Sequence, residues 1–209
     1  MKLPKNKARA KAIRSVEEDE EGPDNKMRVA WAEEALQVYP PAAQNYDHAV
    51  TDLIADLLHA ADAEGEPGLA RDALGKGISH YLYETGLTGW KSEVPKWSMA
   101  YVTAMRSLMQ FPYDVPPSRR RQRAVEVKRE TGMSNADRAK NAKKALVEYR
   151  RATGVSPDNL DAYTDLISDL LHFSEKQDMD GPLKDLENAV NAYLYEAGYR
   201  FLNDKYLHQ

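Results

Sequence analysis

The residues best suited to chemistry are two carboxylates and an imidazole that occur twice as a set. Asp52, Asp56 and His59 stand at i, i+4 and i+7, and Asp165, Asp169 and His172 repeat that spacing. On a helix these positions share one face. Two carboxylates and an imidazole are a plausible ligand set for a divalent cation. Three ligands on one helix do not close around an ion, because Asp52 and His59 are separated by about 10 Å of helix axis. A metal site would need carboxylates from another helix, such as Glu84 or Glu196. Three other readings of the stripe stay open: contact between the two halves of the chain, a solvated face, and contact with a partner.

Other chemistries have less support. The chain contains no Cys, which excludes disulfides, thiolate metal sites and a Cys nucleophile. No Gly-x-Ser-x-Gly elbow and no His-Glu-x-x-His motif is present. Gly75-Lys76-Gly77 lacks the first glycine of a phosphate-binding loop and lies inside a helical pattern. The reading is therefore of no catalytic residue, no resident metal and no cofactor. The Asp/His stripes are carried as partner-contact candidates.

Both stripes belong to a larger internal repeat. Ala49–His59 (AVTDLIADLLH) and Ala162–His172 (AYTDLISDLLH) agree at 9 of 11 positions. Tyr81–Glu84 and Tyr193–Glu196 both read YLYE, each followed two residues later by glycine, Gly86 and Gly198. Upstream, Ala35, Leu36 and Tyr39 match Ala145, Leu146 and Tyr149. The offset drifts only between these blocks, as expected when loops absorb length changes in a duplicated folded unit.

Each copy reads as three helices. Asp24 caps the first helix of copy one, and Pro40-Pro41 ends it. The second spans roughly residues 44–61, and the third ends before Gly86. In copy two, Ser134 with Asp137 makes a capping box, and Gly154 stops that helix. Ser156-Pro157 is expected to open the next helix and Gly181-Pro182 the last. At about 100° per residue, Val50, Leu53, Ile54, Leu57 and Leu58 form a core-facing stripe, with His48, Asp52, Asp56 and His59 opposite, facing outward. Copy two repeats this with Tyr163, Leu166, Ile167, Leu170 and Leu171. A unit of about 60 residues is marginal alone, so the copies should pack on each other or share intervening helices.

Two segments lie outside the repeat. Residues 87–118 hold Trp90, Trp97 and Tyr101 with several methionines, and 97–110 has helical spacing. This segment either glues the lobes together or presents a partner surface, since aromatics and Met are enriched at interfaces. Ser118–Arg129 carries Arg119, Arg120, Arg121, Arg123, Lys128 and Arg129 against one acid. As a helix it could lie along phosphates, or it could be a solvated connector. The N-terminus pairs a basic block with Glu17–Glu21, which suggests a disordered tail or a self-neutralising helix and no secretory signal.

The stretch Asp52–Gly65 followed by the helix ending at His80–Glu84 resembles small uncharacterised helical proteins of bacterial mobile elements. They share a D-L-x-x-D-L-[LM]-H-x-A-[DE]-x-x-G pattern and then a helix ending near H-Y-x-x-E. Copy two departs from it at Phe173-Ser174-Glu175 and at Ala192. The resemblance implies no activity. It implies an accessory protein of a phage or conjugative element, with a modulator or inhibitor of a host defence complex as one role. The chain is also superficially similar to all-α nucleotide pyrophosphohydrolases, but Asp52/Asp56 is one residue off the carboxylate spacing they need.

The sequence thus points to an all-α protein of two similar three-helix lobes related by a pseudo-twofold axis. An aromatic-rich helix and a basic helix would join them. The divisions are 1–23 as a charged tail, 24–86 and 133–209 as the repeats, and 87–132 as the connection. With net charge −4 over 209 residues, the whole molecule is not built to coat nucleic acid, though a local basic patch could do so. The leading expectation is a cytoplasmic, non-enzymatic protein that binds a protein or ribonucleoprotein partner and no membrane. A nucleic-acid-binding accessory protein and a metal-dependent nucleotide hydrolase are the alternatives.

Overall fold

The computed structural model describes residues 7–19, 23–43, 48–66, 68–88, 94, 96, 98–109, 117–177 and 181–199. The described residues are helical, with no strand among them. In order they form α1 (Lys7–Asp19), α2 (Asn25–Val38), a 3₁₀ turn (Pro40–Ala43), α3 (Ala49–Ala63), α4 (Leu69–Glu84) and α5 (Met99–Ser107). There follow α6 (Pro117–Thr131), α7 (Asn135–Thr153), α8 (Asp161–Gln177) and α9 (Pro182–Glu196).

Local chemistry sets most of the boundaries. Asp24 Oδ1 accepts from the amides of Lys26 at 2.9 Å and Met27 at 2.8 Å, capping α2. Ser134 and Asp137 form the reciprocal capping box that starts α7, and Gly154 ends it in a left-handed conformation. One start differs from expectation. Ser156-Pro157 lies in a turn, and α8 begins at Asp161, whose amide donates to Asn159 Oδ1 at 2.8 Å. The Asn159 carboxamide takes the capping role that the sequence pattern assigned to Ser156.

The halves do not stand as separate three-helix lobes. The main neighbours of α3 are α7 and α9, and those of α8 are α4 and α2, while α2 also packs on α7. Most of these contacts join one half to the other. The reason is visible along α3, where every residue from Leu53 to Ala61 is buried. Two helices of the same unit cannot cover a helix on all sides, so the opposite half supplies the remaining cover. Leu53, Ile54, Leu57 and Leu58 are fully buried there, as are Leu166, Ile167, Leu170 and Leu171 on α8. Burial of each such side chain contributes about 1.5–3 kcal/mol.

Three close approaches explain glycines. At Gly77, where α4 passes α8, a Cβ would sit 2.9 Å from Ile167 Cγ2 and 3.0 Å from the Thr164 carbonyl. Gly86 and Gly198 follow α4 and α9 with φ of +66° and +79°. A Cβ there would lie 2.7 Å from Ala12 Cβ and 2.6 Å from the Arg120 carbonyl, respectively. These contacts seat α1 on the end of α4 and α6 on the end of α9. Arg9 Nε donates to Thr85 O at 3.1 Å, and Arg120 Nε donates to Ala197 O at 3.3 Å. The expected charged tail is therefore helical over Lys7–Asp19, with Arg9 buried. No described helix is long and apolar enough to cross a membrane.

Candidate functional site

The deeper residues of the Asp/His stripes are buried between the two halves, the inter-half contact that was one of the readings open from the sequence, rather than facing outward to water. Asp56, His59, Asp169 and His172 are each no more than 5% exposed. Asp52 and Asp165 are half-buried. The face of α3 and α8 opposite the leucines meets the other half of the chain rather than water.

There the stripes form matching polar clusters. His172 Nε2 lies 2.9 Å from Glu84 Oε2, and Arg28 closes on Glu84 Oε1 at 2.9 Å. Ser168 donates to the same carboxylate at 2.9 Å. In the equivalent place, His59 Nε2 lies 3.0 Å from Glu196 Oε2, and Arg138 meets Glu196 Oε1 at 2.8 Å. Ala55 stands where Ser168 does, so that cluster lacks the hydroxyl. Below each cluster a tyrosine donates to the deeper Asp. Tyr39 OH bonds Asp56 at 2.7 Å, and Tyr149 OH bonds Asp169 at 2.8 Å. A second pair of hubs repeats as well. Tyr81 OH donates to Glu175 at 2.9 Å, and Tyr193 OH donates to Asp62 at 2.6 Å. Tyr193 also meets the His59 ring edge-on at 5.0 Å, as Tyr81 meets His172 at 5.1 Å.

Burial and pairing push these groups in opposite directions. Burial drives the Asp56 carboxyl up to about 7, against the Tyr39 hydrogen bond that favours its charged form. Asp169, itself fully buried, is raised well above the ordinary carboxylate range, again chiefly by burial. Burial also raises Asp52 and Asp165. Glu84 goes the other way. Its burial opposes charge, but the His172 and Ser168 hydrogen bonds and the Arg28 guanidinium outweigh it and hold the carboxyl below its usual range.

The arrangement can clamp helices electrostatically. Glu84 and Glu196, the two carboxylates the sequence offered as outside help for a metal, do reach the histidines. Each also carries an arginine, so an added cation would have to displace a guanidinium. Among the described residues no three His, Asp or Glu side chains gather in a metal-holding geometry. Asp165 alone of the second stripe reaches a cavity of about 470 Å³, where His80 Nδ1 lies 3.8 Å away.

The remaining candidates divide. Tyr101 is buried, which removes it from any partner surface. Trp90 and Trp97 lie outside the described residues. On α6, Arg120 turns inward, 3.7 Å from Asp62 with its guanidinium 3.8 Å over the Tyr199 ring. Arg120 is thus committed to the fold rather than to phosphates. Arg121, Lys128 and Arg129 are exposed. Arg119 and Arg123 sit on α6, but their side chains lie outside the described set. Sequence reasoning missed Lys140 and Lys144, exposed on α7. Lys128 lies in the last turn of α6 and Lys140 in the second turn of α7, with only Gly132–Ser134 between the two helices. The four-residue spacing of Lys140 and Lys144 was the available signal.

The chain matches no family model, no curated protein and no solved structure.

Proposed function

We propose that this protein is a non-enzymatic accessory protein that binds an acidic macromolecule, a nucleic acid or a nucleic-acid–protein complex. The contact surface is the exposed basic face of α6 and α7. One observation carries the reading: charge is segregated along the chain. Between Pro117 and Thr153 twelve Lys and Arg stand against four Asp and Glu, although the whole chain is at −4. Arg121, Lys128, Arg129, Lys140 and Lys144 from this stretch are exposed. Asp56, His59, Asp169 and His172, by contrast, are consumed in holding the halves together, which leaves those four no surface to offer a partner. The matched clusters also support reading the halves as copies related by an approximate twofold axis. Origin on a mobile element, a cytoplasmic setting and action on a host defence complex belong to the same proposal and rest on the D-L-x-x-D-L-[LM]-H resemblance.

The test is fluorescence anisotropy with a labelled 30-base-pair DNA duplex across a salt series. Five phosphate contacts give a slope of log K against log salt near −4.5, or a loss of about 500-fold between 50 and 200 mM. Lys140→Glu with Lys144→Glu should weaken binding further. Absence of binding at 50 mM salt, or affinity indifferent to salt and to those substitutions, contradicts the proposal.

A further inference from the structure

We infer that the cavity between α1, α2 and α8 is a binding site for a small organic anion, an apolar body carrying a carboxylate, phosphate or sulfonate. The cavity has a volume of about 400 Å³, within the range of about 300–1,000 Å³ typical of small-molecule sites. Ile13 and Val29 supply apolar wall, and Arg9, Lys26 and Lys176 bring three cations to it. Among the described residues its one lining carboxylate, Glu175, is already satisfied. Arg9 lies 2.6 Å from it and Tyr81 OH donates to it at 2.9 Å. Arg9 and Glu175 therefore cancel. Lys26 and Lys176 are exposed, and neither has an ion-pair partner among the described residues. Among the described lining residues three cations face one carboxylate, in a chain that is negative overall.

The internal repeat separates what the fold needs from what this cavity adds. In the other half the same hub is present, with Arg120, Asp62 and Tyr193 in place of Arg9, Glu175 and Tyr81. By the offsets of the matched blocks, however, Ala136 stands where Lys26 does and Ala63 where Lys176 does. Tyr199 covers Arg120 there. The hub is thus present in both halves, whereas the lysine pair is confined to one. Two cations placed on two different helices, α2 and α8, around one apolar cavity provide what an amphipathic anion needs: burial for its body and a counter-charge for its head.

The probe is 1-anilinonaphthalene-8-sulfonate, read by fluorescence titration of the full chain. Its neutral analogue N-phenyl-1-naphthylamine and inorganic phosphate serve as competitors. The expected result is one saturable site per chain, with the neutral analogue and phosphate each at least tenfold weaker. Lys26→Ala with Lys176→Ala reproduces the residues of the other half, so it should keep the urea midpoint while weakening the dye at least tenfold. Lys140→Ala with Lys144→Ala should leave dye binding unchanged, which separates this site from the proposed macromolecular surface. Several weak sites, no binding, or binding indifferent to the Lys26/Lys176 pair overturns the inference.

Discussion

Replacing Glu84 by alanine is the sharpest perturbation of the buried clusters. The carboxylate accepts from Ser168, pairs with Arg28 at 2.9 Å and lies 2.9 Å from His172. Its side chain is 9% exposed, and that of Arg28 is 13% exposed. Removing it leaves a guanidinium nearly out of water without its principal counter-charge and strips a buried hydroxyl of its acceptor. Loss of one partner of a buried pair costs about 3–5 kcal/mol. That is a large part of the roughly 5–15 kcal/mol that holds a typical domain together. Glu84→Gln keeps acceptor and shape but loses the charge, and should cost about 1.5–3 kcal/mol, the range of a charge-assisted hydrogen bond. The assay is urea unfolding at pH 7 followed by circular dichroism, with the slope checked for constancy. A double-mutant cycle of Glu84→Ala with Arg28→Met should return a coupling above about 1 kcal/mol. If Glu84→Ala costs under 1 kcal/mol, or the two substitutions simply add, the cluster is not holding the halves together.

Two further outcomes follow from the same structure. Asp56 has a folded pKa of about 7 because of burial, above the unfolded value near 3.9. Its contribution is present below the unfolded value and is lost as pH rises toward 7. Asp52, Asp165 and Asp169 shift in the same direction. Urea midpoints should therefore rise from pH 8 to pH 5, and Asp56→Asn should flatten that rise. Glu84, held low, contributes above its unfolded value and is lost as pH falls through its folded value, so stability should drop again below pH 4. Gly77→Ala should cost about 1–3 kcal/mol by overpacking against Ile167, measured by thermal melting, while an alanine at Gly75 should be nearly neutral because only the Met109 sulfur lies near, at 3.5 Å.

Much of the helical layout could be read from the sequence, because caps and glycine stops are local. Asp24, Ser134 with Asp137, Gly154 and Pro182 all act where their sequence context placed them. The heavy face of α3 was equally legible from the spacing of Leu53, Ile54, Leu57 and Leu58. The polar face was harder. Asp56 and His59 look like a solvated stripe when α3 is considered by itself. Only the arrival of Glu196 from α9 and Arg138 from α7 makes their burial affordable. Those partners are over 75 residues away, and hydrophobic periodicity carries no information about which distant helix covers a polar stripe. The role of α1 and α6 was hidden for a similar reason. Arg9 and Arg120 sit in charge-rich runs that resemble solvent-facing tails, yet Arg9 caps the end of α4 and Arg120 the end of α9. The one hint was that Gly86 and Gly198 both follow YLYE.

Histidine accessibility tests most directly whether the stripes lie inside. His59 and His172 are enclosed between the halves, whereas His48 and His80 are exposed. Diethyl pyrocarbonate labelling of the native chain, mapped by mass spectrometry, should modify His48 and His80 at least tenfold faster than His59 and His172, with the difference erased in 8 M urea. Labelling of His59 and His172 in the folded protein at the rate of His80 would place the stripes in water and contradict the account.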